Sequence, residues 1–200
     1  MPRKSTSIVK RVRKLERTSR PEVKHADAVS GAFDTVGSVS GTLLKPQVLG
    51  QGTGRNFRIG DKVKSRNIRF QCIVKMPSLA ANPTCAVRLL VLRSKISNPT
   101  TSDMPVWYAP VDEDKFFIVK DVITQVSQMG TRNAGGGGDS FSTGSTLRRF
   151  SFNVNTGLRK LQYDGASTQS PLNNEYIIYM LAENQSAECA YNWRHYYLDN

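Results

Sequence analysis

Residues 67–76 read Asn67-Ile-Arg-Phe-Gln-Cys-Ile-Val-Lys-Met76, and this stretch decides the fold class. Ile68, Phe70, Cys72, Val74 and Met76 alternate with Asn67, Arg69, Gln71 and Lys75. A period of two sends successive side chains to opposite faces of an extended chain, so the stretch predicts a long strand with one apolar face.

Further strands are predicted on both sides of it. Cys85–Arg93 and Phe116–Val126 are dense in β-branched and aromatic residues, as expected of strands covered on both faces. Leu147–Val154, Arg159–Tyr163, Glu175–Ala182 and Ala187–Leu198 continue the series. In the last of these, Cys189, Tyr191, Trp193, His195 and Tyr197 share one face. Phe33–Leu44, with its glycines, brings the count to eight.

Pro77–Pro83, Asn155–Gly157 and Glu183–Ser186 are short, turn-like connections, whereas Lys45–Gly60, Ser94–Lys115 and Gly130–Thr146 are long. Eight strands with such unequal loops fit an all-β jelly-roll sandwich better than a regular meander. No internal repeat of 20–50 residues is visible, which argues against a propeller or solenoid.

The charge is divided unevenly. The chain carries net +12, with an isoelectric point near 9.9, which calls for a polyanionic partner. Residues 1–24 hold nine basic groups against Glu16 and Glu22, net +7, leaving +5 for the other 176 residues. Two units follow: a basic arm, residues 1–24, and a shell-like body, residues 25–200.

Within the arm, Ser5 or Ser7 can cap a helix and Pro21 helps to end it. Ile8, Val12 and Leu15 fall on one helical stripe, with basic residues around the rest of the circumference. A helix this short is marginal alone and needs a surface to dock on. The apolar stripe therefore predicts arm self-association. Arg3, Lys4, Lys10, Arg11, Arg13, Lys14, Arg17 and Arg20 are the candidate phosphate ligands, since such groups neutralise a nucleic-acid backbone without reading its sequence. Lys10–Lys14 also fits recognition by nuclear-import machinery. The stripe is thin and lacks Trp or Phe, so no membrane partner is expected. Nor is there a signal peptide or an apolar run long enough to span a bilayer.

Catalytic signatures are missing, and no enzyme activity is expected. His25 and His195 are the only histidines, too few for a zinc cluster, and His195 reads as structural. Cys72, Cys85 and Cys189 are widely spaced within predicted strands and read as buried reduced thiols. Gly37–Gly41 has Val39 where a nucleophile elbow needs serine. Gly135–Gly138 lacks the lysine and serine or threonine of a phosphate loop. Asp112–Asp114 lacks the spacing of a calcium loop and reads as a solvated acidic turn.

Gly52-Thr-Gly-Arg-Asn-Phe-Arg-Ile-Gly-Asp-Lys-Val-Lys-Ser-Arg-Asn-Ile-Arg69 resembles a pattern of small viral coat proteins: a glycine-rich turn, Arg-x-Gly-Asp, then a long strand. Phe117–Val122 resembles their middle strand and Glu175–Asn200 their closing pair. The family is that of satellite tobacco necrosis virus and of circular Rep-encoding single-stranded DNA viruses. The resemblance implies a jelly-roll capsid protein that self-assembles into a T=1 icosahedral virion of sixty copies, arms inward on a single-stranded genome. DNA is favoured over RNA as cargo, and the host nucleus or cytoplasm as the place of assembly. It also implies structural Ca²⁺ at subunit interfaces near Arg58–Asp61, with Asp199 as a candidate metal ligand.

The alternative from another class is a cellular nucleic-acid-binding β-domain with a basic extension. Such a domain would expose aromatic stacking platforms on a sheet face. Trp107, Tyr108, Trp193, Tyr196 and Tyr197 instead fall in one long loop and the last strand, where a shell is expected to make subunit contacts.

Overall fold

A computed structural model describes residues 22–37, 40–54, 56–77, 84–128, 146–165, 169–184 and 187–199. The predicted arm helix, the phosphate ligands from Arg3 to Arg20, the stripe Ile8, Val12 and Leu15, and the Gly135–Gly138 run all lie outside these residues. The described residues are all-β, with one single-turn 3-10 segment, Thr101–Asp103, and no α-helix. None of their helices is long and apolar enough to cross a membrane.

Two antiparallel sheets face each other. One holds β1 (Val23–Val29), β9 (Glu188–Asp199), β4 (Lys62–Lys75) and β7 (Arg148–Gln162), in that order. The short β2 (Asp34–Thr35) also pairs with β9, beyond the end of β1. The other sheet has the order β3 (Thr42–Leu44), β8 (Tyr176–Ala182), β5 (Thr84–Ser94) and β6 (Phe116–Ser127).

The founding alternation holds along β4. Ile68, Phe70, Cys72 and Val74 are buried, and with them Val87, Leu89 and Val91 of β5 and Ile178 and Met180 of β8 form the core between the sheets. Register lines up Phe70 with Trp193 on one side and Phe152 on the other, and the Phe70 and Phe152 rings lie 5.0 Å apart. Emptying a site such as Phe70 costs about 3–5 kcal/mol, because closely packed neighbours refill the space only partly. Cys72, Cys85 and Cys189 are all buried, as predicted.

A second cluster lies on the far side of the four-stranded sheet. Leu90, Leu92, Ile177, Tyr179 and Leu181 are covered there by Met104, Trp107 and Val111, all from the long connection between β5 and β6. This cover explains why all seven residues of β8 are buried.

Several expectations need correction. Leu147–Val154 and Arg159–Tyr163 form one strand, β7, rather than two. The predicted turn between them is absorbed: Asn155 Oδ1 accepts a 2.9 Å bond from the Gly157 amide, and Gly157 and Leu158 adopt φ of 64° and 56°. The extra length is matched on β4 by a register shift between Ser65 and Asn67. Phe33–Leu44 is not one strand either, but passes from the first sheet (β2) to the second (β3). Gly41 is required at that crossing, since a side chain there would run into the Met180 carbonyl. β1 was not foreseen, and the expected boundary between residues 24 and 25 falls inside it. Phe116–Val126 is not covered on both faces. It ends its sheet as β6, with Phe117, Ile118, Val119 and Ile123 about half exposed.

Candidate nucleic-acid interface

Lys24, counted in the sequence among the arm's nine cations, belongs to the sandwich. It is 5% exposed, and its Nζ lies 2.7 Å from Asp199 Oδ2 and 3.2 Å from the Phe57 carbonyl oxygen. The carboxylate that Lys24 holds also accepts a 3.1 Å bond from the Ile59 amide. So the sandwich ties the root of the arm to its last strand and to the Arg58–Asp61 turn, and Lys24 has no charge to spare for a phosphate.

The same juxtaposition bears on the expected cation. Asp199 and the Arg58–Asp61 turn do meet, and Asp199 Oδ1 is buried without a hydrogen-bond partner among the described residues. Yet an ammonium already neutralises this carboxylate, and among the described residues no three His, Cys, Asp or Glu side chains are grouped to hold a metal. Arg58 is a staple for the loop. It is fully buried over the Tyr163 ring at 4.4 Å, and it donates to Leu49, Gly60 and Gly165 carbonyls and to Asp61.

His195 is likewise internal. Its Nε2 lies 2.9 Å from Ser65 Oγ, which accepts from Gln47 Nε2 at 2.8 Å. Gln47 in turn accepts from the Tyr176 amide through its side chain and from Tyr163 Oη through its backbone. Burial pushes the imidazole down to about 3, so it stays neutral at physiological pH. Nearby, burial pushes the Glu175 carboxyl up to about 7, opposed by Lys45 at 3.8 Å. These groups tie loop 45–60 to both sheets. The Asp112–Asp114 segment is a turn held by Asp112, whose Oδ1 accepts from the Asp114 amide and whose carbonyl oxygen accepts from the Phe116 amide, both at 3.0 Å.

The predicted aromatic contact set divides. Trp107 and Tyr197 are buried, whereas Tyr108 is 75% exposed and Trp193 and Tyr196 are intermediate. Trp107 is thus part of a cover, not a contact surface, because its loop folds back onto the sheet.

What the sequence reading missed is a charge pattern on the body. β4 carries Lys62, Lys64, Arg66, Arg69 and Lys75, its partner β7 carries Arg148, Arg149, Arg159 and Lys160, and neither strand has an acid. With these nine removed, the rest of residues 25–200 is net −4. Register then brings like charges together: Lys64 lies opposite Lys160, and Arg69 opposite Arg194. Both acid-free runs are visible in the sequence, but nothing local announces that they pair.

No protein-family model matches the chain, and a search of the curated proteins finds no relative.

Proposed function

We propose that the chain is a viral coat protein whose jelly-roll body self-assembles into a small icosahedral shell, most simply sixty copies, and whose arm, residues 1–21, packages single-stranded nucleic acid. Its role is structural, within the virion. The observation that carries this reading is the nesting of strand pairs. If β1 and β2 are counted as one interrupted strand, the chain has eight, and the first pairs with the last, the second with the seventh, the third with the sixth and the fourth with the fifth. A long hairpin paired in this way and rolled into two sheets is a jelly roll, an architecture used by capsid and lectin domains.

Two further features support the shell over a solitary domain. β6 presents a long edge with exposed Phe117, Ile118, Val119 and Ile123, a surface that monomeric proteins normally blunt. The occupant that fits a shell is a second copy of the chain. The arm adds strong positive charge next to a body whose first strand is tied in place at Lys24. A nucleic-acid-binding domain that never assembles would share the cations but leave the apolar edge unexplained. A cation shared between subunits would draw on Asp199 Oδ1 together with donors from a neighbouring copy.

Negative-stain electron microscopy of the purified protein tests the reading. Uniform closed particles are expected at moderate salt, with or without added oligonucleotide. A chain that stays monomeric across salt and pH, nucleic acid present or absent, would sink it.

A further inference from the structure

We infer that the outer face of the five-stranded sheet is a second binding surface for single-stranded nucleic acid, with phosphates on Lys64, Lys160, Arg69 and Arg149 and a base packed on the Arg69–Tyr196 pair. The inference rests on the proposed packaging role but assigns it a surface separate from the arm.

Register places these side chains together. Lys64, Lys160 and Leu198 share one level of the face; Asn67, Asn155 and Tyr196 lie at the next, Arg69, Asn153 and Arg194 beyond it, and Ile73, Arg149 and Ala190 further along. From Lys64 to the level of Arg149 the face runs about 30 Å, at roughly 3.3 Å per residue. That length suits a single strand of a few nucleotides, the scale of ~4–16 nucleotides used by other sheet surfaces.

The acids near this face are already engaged. Asp27 holds Arg194 in a two-pronged bond at 2.7 and 2.8 Å, and Glu188 pairs with Lys75 at 3.4 Å. Among the described residues, Lys64, Lys160, Arg69 and Arg149 have no carboxylate within ion-pair distance. Like charges directly opposite each other across a sheet are destabilising, so the Lys64–Lys160 and Arg69–Arg194 pairs work against folding. A polyanion laid along the face relieves that repulsion and releases its own counterions.

Shape and side-chain chemistry narrow the ligand. Two open hollows lie side by side on this face, of about 380 and 280 Å³. They share Val29, Gln71 and Asn192, which makes one groove with Arg69 and Tyr196 at one end and Arg149 at the other. The Arg69 guanidinium sits over the Tyr196 ring at 5.2 Å, a stacked pair on which a splayed base can lie. Asn67, Asn153, Gln71 and Asn192 supply amides between the cations, suited to phosphate, sugar and base edges alike. A duplex keeps its bases stacked inside and offers none to such a platform.

The test uses the full chain and a fluorescein-labelled 20-nucleotide oligothymidylate, read by anisotropy across a salt series. The face variant carries K64Q, R69Q, R149Q and K160Q. A control loses the same charge elsewhere, through R93Q and K120Q on the other sheet and K95Q and K115Q in the loop joining β5 to β6. Each phosphate contact on a single strand contributes about 0.7 to the slope of log affinity against log salt. The face variant should lower that slope by roughly 2–3 relative to the control, and Tyr196→Ala should weaken binding several-fold without changing it. Equal slopes in the two variants overturn the inference while leaving the arm's role standing. If the wild-type chain binds no oligonucleotide, the packaging reading itself fails. Weakened binding to phosphatidylserine vesicles with oligonucleotide binding intact also overturns the inference, since the face would then serve a membrane. Should the four-site variant not fold, K64Q with K160Q reads the same slope at half the drop.

Discussion

The four-stranded sheet carries Leu90, Leu92, Ile177 and Tyr179 on its outer face and covers them with Met104, Trp107 and Val111 from its own chain. The five-stranded sheet turns Lys64, Arg69, Arg149 and Lys160 outward, and among the described residues no loop covers them. The difference is one of timing. An apolar face has to be buried when the chain folds, because exposed hydrocarbon costs about 25 cal/mol per Å². A cationic face stays hydrated, and its cost is mutual repulsion that a later partner removes. So one side of the sandwich is finished by folding and the other is left for binding.

Substituting the cover should break the first half of this contrast most severely. Trp107→Ala is expected to lower folding stability by about 3–5 kcal/mol, read as a fall in the urea midpoint. A midpoint within error of wild type would mean that the loop only rests on the sheet. Arg88 is part of the same cover: it reaches the Trp107 and Ala109 carbonyls at 3.0 and 2.8 Å while forking onto Asp121.

Between the two sheets, pH separates two buried groups. Burial raises the Glu175 carboxyl from 4.5 to about 7, so the folded chain keeps a proton that the unfolded chain gives up. Stability therefore falls as pH climbs through that window, by about 3 kcal/mol in all. Burial lowers His195 from 6.5 to about 3, so the unfolded chain takes up a proton that the folded one refuses, and stability falls as pH drops below 6.5. The two slopes cancel between pH 4.5 and 6.5, where unfolding should be nearly independent of pH. Glu175→Gln should leave only the histidine slope and raise stability at pH 8 by about 3 kcal/mol. A variant no more stable than wild type at pH 8 would remove Glu175 as the source.

The smallest effect is expected on the open face, and its sign matters more than its size. Lys64→Gln and Arg69→Gln each relieve a like-charge pair, so each should leave stability unchanged or raise it by a few tenths of a kcal/mol. A loss beyond about 1 kcal/mol from either would show that these cations hold the sheet together, and the contrast between the faces would collapse.

Much of this architecture was legible in the sequence. The period-two pattern of residues 67–76 gave β4 its inner face, and the shared face of Cys189, Tyr191, Trp193, His195 and Tyr197 is the inner face of β9. β1 escaped because only Lys24, Ala26 and Ala28 point inward along it, and two alanines make a faint apolar signal. β7 looked like two strands because Asn155–Gly157 has turn chemistry, and only the opposing irregularity at Ser65–Asn67 lets the strand run on. β6 looked buried because β-branched residues suit an exposed edge strand as well as a core. The cationic face depends on the pairing of two distant strands, which no local pattern encodes. The arm's phosphate ligands rest on the sequence alone.

Cys72, Cys85 and Cys189 lie in one core cluster, and burial pushes the Cys72 and Cys189 thiols up to about 12. A maleimide reacts with thiolate, so the closed molecule is inert to it. Labelling proceeds only through openings that expose the interior, and its rate counts them. The protein thus carries an internal clock. Run on free subunits and on assembled particles, that clock would report how far a shell quiets the breathing of each copy.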